Sequence, residues 1–430
     1  MSYLSHLLSS KGTSTAFRRL RAILRQVGPT STRMAHTLDA YMDLLDQFEV
    51  KPTFPTPAAV VYRHPDVIHH LLKRGAEIAI HGYHHVDFTT LTPEQQRAQV
   101  REAIRRFRKR NVPFEGFRAP YLRWDESLLQ VLHAERLNYD SSLAIFWDVL
   151  ATDSLSPQAE AGLARVLNFY DPLPAEDVPS LPSWEGNLLR LPVSLPDDEI
   201  LVDRLGMEDG IEIGDVWRSI LQKTYERDEL FVLQLHPERF HTCRVGLRIL
   251  LEDARRRNPP VWIAPLADIA HWWRQKQHVS VRVLPTGARA WRFEIPDNGD
   301  VALLARDVEC DKVCTPWGDH WQRVEGHRVT VYSATRPTVG LAAGVPDALV
   351  RFLRDLGYIV EPATSEHVLI IDETTWSPEA RARVLERLMS SHVPLVRLNR
   401  WPGHHRSALA VTGDLDALTW FDFLYRVLGV

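Results

Sequence analysis

Cysteine is scarce in this chain, with three in 430 residues. Three thiols cannot build a disulfide framework, which favours a reducing compartment or indifference to redox state. Long hydrophobic runs are missing as well. No stretch reaches the roughly 18 apolar residues that a membrane span needs. Met1 to Ser10 lack the apolar core of a secretory signal. These absences lead to the expectation of a cytoplasmic protein. An excess of one charge sign is also absent. Lysine and arginine number 51 against 55 aspartates and glutamates, for a formal net charge of −4. Nucleic acid is therefore not expected as a partner, and an anionic membrane exerts no general pull. No internal repeat or low-complexity segment interrupts the chain.

What is present is ordinary globular composition, 45% hydrophobic and 25% charged, in a chain long enough for two or three domains. Residues 1–31 contain an amphipathic helical segment from Thr15 to Val27. Phe17, Leu20, Leu24 and Val27 lie on one face, with Arg18, Arg19, Arg21 and Arg25 around it. Docking of this helix on its own domain is preferred over membrane contact through its basic face. From residue 32 to 277, apolar runs alternate with helical periods, which predicts parallel βα units. The spacing predicts a helix from Arg33 to Phe48, a short strand at Pro52–Pro55 and a helix from Pro65. Thr92-Pro93-Glu94-Gln95 opens another helix, with a threonine cap, proline in the first position and a capping-box glutamine. Residues 278–335 read as short alternating runs of an antiparallel sheet, such as Trp291–Ile295. Residues 336–406 return to α/β, with a helix at Pro346–Leu356 and strands at Val368–Ile371 and Val393–Leu398. Residues 407–430 read as a strand followed by a helix.

The chemistry gathers around Glu77-Ile78-Ala79-Ile80-His81-Gly82-Tyr83-His84-His85. An apolar run ends in His81, and His85 follows in the next turn of chain. Strand ends, and the loops after them, carry the chemistry of α/β folds. Two neutral imidazoles placed there can share one divalent ion. His84 adjoins a ligand and is expected to point away.

Two loop histidines say little alone, and their company is informative. Thr53-Phe54, the histidine stretch, Arg118-Ala119-Pro120-Tyr121 and Leu235-His236-Pro237 occur in one order. That series resembles the polysaccharide deacetylases, the NodB-homology or carbohydrate esterase family 4 group, over roughly Thr32 to Trp273. The histidine stretch is similar to the family's metal-binding motif, with Gly82 where serine or threonine is usual. Arg118 to Tyr121 resembles its arginine–proline motif, and Leu235 to Pro237 its late histidine motif. Leu195-Pro196-Asp197-Asp198-Glu199 corresponds to its fourth motif, with Glu199 in place of a tryptophan. Asp140 reads as a cap or turn residue and is left out of the site.

One family feature is missing where it belongs. The first motif, a strand ending in paired aspartates, should precede the helix at Met34. Gly28-Pro29-Thr30-Ser31-Thr32 offers no carboxylate. At the other end, Ser407-Ala408-Leu409-Ala410-Val411-Thr412-Gly413-Asp414-Leu415-Asp416 is an apolar run ending in two acids, and it resembles that motif. A continuous apolar run suits a strand buried on both faces. A parallel barrel without its first strand would leave two edges of unpaired backbone groups. The expectation is a distorted parallel (β/α) barrel of the deacetylase type, circularly permuted, plus a small β-rich segment and an α/β C-terminal unit. The alternatives are that the last strand belongs only to that α/β unit, or begins a second, truncated copy.

The resemblance implies metal-dependent hydrolysis of an N-acetyl group on a sugar or glycan precursor. His81, His85 and Asp416 would hold a divalent metal ion, with zinc the expected one. Asp414 would be the base, although the Leu415 spacer leaves an exchange of roles between the two aspartates open. Arg118 would orient the base, the Tyr121 backbone N–H would hold the oxyanion, and His236 would protonate the leaving amine. The competing class is a non-catalytic glycan-binding or scaffold protein. The two classes separate on whether Asp414 or Asp416 reaches His81 and His85. Cys310, Cys314 and His320 have a ligand-like order but no fourth member. Gly340 to Gly344 reads as a plain loop ahead of a phosphate cradle. Trp147, Trp184 and Trp217 read as core ahead of sugar-stacking surfaces.

Overall fold

The computed structural model describes residues 28–151, 155–297, 300–318 and 320–428. The Thr15–Val27 segment lies outside them. Some helices start where a cap is written in the sequence. Thr92 and Gln95 form a reciprocal capping box at the head of Pro93–Lys109, and the Asp125 carboxylate accepts the Leu128 N–H to open Glu126–Ala134. Helix Thr32–Asp46 buries Met34, Leu38, Tyr41 and Leu45, which follow its helical period. No helix among the described residues is long and apolar enough to cross a membrane.

The central sheet has nine strands. Its order is Leu230–Gln234, Ser407–Thr412, Thr53–Thr56, Glu77–Ile80, Gly116–Phe117, Tyr139–Asp140, Leu188–Arg190 and Ser183–Glu185, with Val261–Ile263 also pairing to Ser407–Thr412. The pairs are parallel except the last, which is an antiparallel hairpin. The sheet is thus mixed and curled, which corrects the parallel pattern in the expectation of a distorted parallel barrel.

Nor, among the described residues, do hydrogen bonds close it into a ring. Beyond Asp140 and Arg190 the two neighbouring strands bend and continue as Ala144–Phe146 and Val193–Leu195, which pair in a separate small sheet with Leu173–Pro174. Val193–Leu195 comes up beside Leu230–Gln234 without a ladder. At the bend the Ser141 N–H still donates to Phe117 O at 2.8 Å, while its carbonyl and hydroxyl accept from Arg118 and Ser142 Oγ accepts the Ala119 N–H.

The C-terminal strand sits inside this sheet rather than with the neighbouring C-terminal segment. Leu230 to Gln234 run in parallel register with Ala408 to Thr412 on one side. On the other side Val261 to Ile263 pair with Ser407 to Leu409, and Thr53 pairs with Thr412. The pairing continues past the strand, with Gly413 N–H donating to Thr53 O at 3.1 Å and Leu415 N–H to Pro55 O at 2.8 Å. All six residues of Ser407–Thr412 are buried, as a strand covered on both faces requires.

The residues after Gln277 form three smaller sheets. Arg282–Gly287, Ala290–Glu294, Arg328–Tyr332 and Glu309–Cys310 make an antiparallel sheet. Val339–Leu341, Val360–Pro362 and Ile370–Ile371 make a parallel one, with helices Asp347–Asp355 and Pro378–Ser390 between and after its strands. The strand expected at Val393–Leu398 is Leu395–Leu398. It pairs antiparallel with Leu303–Arg306, in a sheet with Cys314–Gly318 and Trp321–Val324. The expected boundary between 278–335 and 336–406 is therefore crossed by a ladder. Residue-level patterning names strands but not their partners.

Candidate metal centre and active site

His81 follows directly on strand Glu77–Ile80, which delivers it to the carboxyl end of the sheet. Its backbone N–H still pairs with Thr56 O at 3.1 Å. Its Nδ1 lies 2.7 Å from the Arg118 carbonyl. A carbonyl can only accept, so Nδ1 carries the proton and Nε2 presents its lone pair. That Nε2 is buried with no hydrogen-bond partner. Gly82 then reverses the chain with φ +76°, and a Cβ there would meet His84 O at 2.8 Å. This explains glycine where the resemblance has a hydroxyl residue. Ala58 and Ala59 N–H groups clamp the carbonyls of Gly82 and Tyr83, and His85 comes round to face the same point. His84 is outside the cluster, its ring against Tyr83.

The C-terminal strand brings both aspartates to this pair. His85 Nε2 lies 3.3 Å from Asp416 Oδ1, and His81 Nε2 lies 3.5 Å from the same oxygen. Asp414 Oδ2 is 3.6 Å from His81 Nε2. His81, His85 and Asp416 are all buried and offer ligand atoms that lie within 4.8 Å of one another. A tetrahedral ion with ligands at about 2.0–2.2 Å separates their atoms by roughly 3.4 Å, so the observed spacing suits one shared divalent ion. A buried imidazole lone pair, with the other ring nitrogen held by a backbone carbonyl, fits a metal ligand. The donor set fits a divalent cation, and the ion's identity is left open by it.

Asp414 has a different setting. Its Oδ1 accepts from Arg118 Nη1 at 2.8 Å, and its Oδ2 accepts from Gln234 Nε2 at 3.2 Å. Arg118 is fully buried and spends its other donors on Thr412 Oγ1, Ser141 O and Ser141 Oγ. A guanidinium fixed at four points cannot swing, so Asp414 is held in one orientation. Gly413 makes room for this. A Cβ at that position would sit 2.5 Å from Leu235 O.

His236 follows strand Leu230–Gln234 on the next ladder over. Its Nδ1 lies 2.8 Å from Asp198 Oδ1, and its backbone N–H donates to Asp198 Oδ2 at 2.9 Å. Burial alone would lower the imidazole, but the adjacent Asp198 carboxylate outweighs it and lifts the group to about 10. Gln234 lies between the two halves of the site, bonding Asp414 and lying 3.4 Å from His236 Nε2. Asp198 and Gln234 were not singled out from sequence. The Leu195–Glu199 stretch was the only signal for the first, and nothing signalled the second. The rest of that stretch is structural. Asp197 accepts the Ile200 N–H at 2.9 Å, and Glu199 pairs with Arg204 at 2.9 Å.

Tyr121 has left-handed backbone, φ 63° and ψ 12°, and its ring meets His85 edge-on at 4.4 Å between centroids. It therefore borders the metal cluster. Asp140 lies apart, bonded to Ser142 and Arg190. Trp147 and Trp217 are fully buried core residues. Cys310, Cys314 and His320 do not form a metal-ligating group among the described residues.

A family model described as polysaccharide deacetylase matches residues 28–140. The chain is 40% identical over 78 residues to a peptidoglycan deacetylase-like protein of Gibberella zeae, a match that covers 17% of this chain and 22% of that one. It is 29% identical over 126 residues to a bifunctional xylanase/deacetylase of Pseudobutyrivibrio xylanivorans, covering 28% and 20% of the two chains. The chain thus spans about a fifth of the length of these curated relatives. A solved polysaccharide deacetylase structure from Mycobacterium smegmatis aligns over 66% of this chain and 90% of its own, at 23% identity and a TM-score of 0.46. The matched residues 28–140 include His81, His85 and Arg118 but end before Asp198, His236, Asp414 and Asp416. The place of those four in the site rests on geometry.

Proposed function

From the premise that the chain belongs to the polysaccharide deacetylase family through residues 28–140, we propose that it hydrolyses an N-acetyl group on a sugar or glycan precursor in a metal-dependent reaction. The observation that carries this reading is the convergence of His81, His85 and Asp416 beside an Arg118-held Asp414. A divalent ion bound there would lower the pKa of a water molecule and polarise the acyl oxygen. His81, His85 and Asp416 would hold it. Asp416 is assigned as ligand because its Oδ1 lies within 3.5 Å of both imidazoles.

Asp414 is the general base. It touches only one imidazole, and Arg118 and Gln234 hold its carboxylate facing the cluster. Positioned in this way, a carboxylate takes a proton from water without reorganising. His236, charged through Asp198, donates a proton to the departing amine. Tyr121, whose ring borders His85, would offer its backbone N–H to the developing oxyanion. The same reading extends to the chain order. Strand Ser407–Thr412 stands in for the family's first strand, as a circular permutation would place it.

The test is acetate release from N-acetylated sugar oligomers by the full chain. Activity that disappears on chelation and returns with a divalent metal is expected. Release unaffected by chelation overturns the proposal.

The His236–Asp198 pair also sets a pH profile. A histidine raised to about 10 is charged at neutral pH, so loss of its proton gives an alkaline limb near that value. The same pair contributes stability that is complete below about pH 6.5, the unfolded value, and is lost as pH rises through about 10. Asp198→Asn removes the charge that raises the imidazole and leaves the burial that lowers it. The alkaline limb of kcat/KM is then expected to move down by about two units or more. A limb that does not move excludes His236 as the acid.

A further inference from the structure

Gln234 ends strand Leu230–Gln234 between the two halves of the site. Its Nε2 lies 3.2 Å from Asp414 Oδ2 and 3.4 Å from His236 Nε2. One atom therefore faces both the base and the acid. Its Oε1 is buried without a hydrogen-bond partner. A half-satisfied buried amide is uncommon in a folded protein and asks for a physical reason.

The reason lies in what His236 presents to it. His236 Nδ1 is 2.8 Å from Asp198 Oδ1, and a carboxylate oxygen accepts, so Nδ1 carries a proton in both charge states. The charge of the ring is decided at Nε2. A neutral ring offers a lone pair there, which takes one N–H of Gln234 while the second N–H goes to Asp414. A charged ring offers an N–H instead, and two donors then oppose each other at 3.4 Å. Half a turn of the amide removes that conflict by putting Oε1 where Nε2 stood. The carbonyl then accepts from the imidazolium in a charge-assisted bond. The turn exchanges one unpartnered end of the amide for the other, so the groups at the shared atom decide between the two orientations. The ionisable groups around the ring act elsewhere. Burial opposes its charge, Asp198 and Glu238 favour it, and Arg239 opposes it. Asp197 stands near them. They act at Nδ1 or at longer range, whereas Gln234 meets Nε2.

We propose that Gln234 is a positioning residue whose amide turns with the charge of His236. Its carbonyl holds the Nε2 proton of the charged ring, and its N–H returns to Asp414 once that proton has gone. What this does in the reaction rests on the deacetylase reading. With the acid charged, the turned carbonyl leaves Asp414 Oδ2 without the Gln234 N–H and open to the reacting water. Arg118 Nη1 keeps Oδ1 in place at 2.8 Å throughout. After the proton has left with the amine, the N–H covers Oδ2 again. The base is thus open while the acid is loaded and covered once it is spent.

Nuclear magnetic resonance of the full chain tests this without substrate, so failure of the deacetylase reading leaves the measurement intact. Histidine rings and glutamine side chains are isotope-labelled, and His236 is identified by its absence from the His236→Gln spectrum. Its titration is followed from about pH 7 to about pH 11. Overhauser contacts between the Gln234 side-chain N–H protons and the His236 ring are expected above the midpoint, where the ring is neutral, and are expected to vanish below it. Contacts of equal strength on both sides of the midpoint overturn the proposal. Gln234→Leu removes the carbonyl acceptor, and the His236 midpoint is expected to fall by about one unit or more. A midpoint that rises or stays also overturns the proposal, because an N–H facing the ring throughout would have held it down. The contacts are read on the unaltered chain, so the test holds even where the variant fails to fold.

Discussion

Asp416→Ala is expected to abolish metal-dependent acetate release and to weaken divalent metal binding, while Asp414→Asn abolishes release and leaves metal binding close to normal. The difference follows from what each carboxylate touches. Asp416 Oδ1 is within reach of both imidazoles, and removing it leaves two ligands for the ion. Several kcal/mol of transition-state stabilisation then disappear, about three orders of magnitude in rate. Asp414 is bonded to Arg118 and Gln234, and an amide there keeps the shape but cannot accept a proton. General bases contribute about 10²- to 10⁴-fold, so a loss in that range is expected with the ion in place. Metal content and acetate release measured on both variants decide the roles. If Asp414→Asn loses the metal and Asp416→Ala retains it, the assignments are exchanged. If both remain active, the site lies elsewhere.

The second large effect concerns the end of the chain. A protein ending at Arg406 is expected not to fold, even though every matched residue of the family segment is intact. Strand Ser407–Thr412 is hydrogen-bonded along both edges. Leu409, Val411, Leu415 and Leu418 are buried to within 1%. Burial of four such side chains contributes about 8 kcal/mol, comparable with the whole stability of a domain. The unpaired edges of Leu230–Gln234 and Val261–Ile263 would add to the loss. Far-UV circular dichroism and solubility of the shortened chain provide the measurement, and a soluble, native-like product would contradict this account.

The same segment moved to the front tests the permutation. Helix Trp420–Leu428 starts beside Gly28, whose carbonyl accepts the Trp420 N–H at 3.0 Å. Nine residues of helix carry the chain about 14 Å away, a span that a flexible linker of about ten residues covers. A chain with 407–428 joined in this way ahead of Gly28 is expected to fold and keep acetate release. Failure of the moved segment to restore what truncation removes would reject the permuted reading.

Local chemistry made much of this protein legible. The capping box at Thr92, the apolar run ending at His81 and the apolar run ending in Asp414 and Asp416 are each written in consecutive residues, because caps and buried strands impose short-range patterns. The bend after Asp140 was not legible, because the contacts made there by Ser141 and Ser142 are with Arg118 and Ala119, more than twenty residues away in sequence. Leu395–Leu398 could be recognised as a strand, yet its partner Leu303–Arg306 could not. Asp198 and Gln234 were missed for a related reason. Each matters through a partner distant in sequence or across the sheet, and neither stands out from its neighbours by residue type.

The sequence by itself determined that two imidazoles end one buried strand and two carboxylates end another. Both facts are periodicity and residue type, readable without coordinates. Only the tertiary structure decided that the two strand ends face one point, that Asp416 rather than Asp414 reaches both histidines, and that Arg118 holds Asp414 in place. The physical reason is the ladder. Thr53–Thr56 pairs with Glu77–Ile80 in register on one edge and meets the end of the C-terminal strand on the other. The backbone hydrogen bonds of that single short strand set His81 against residues more than three hundred positions away.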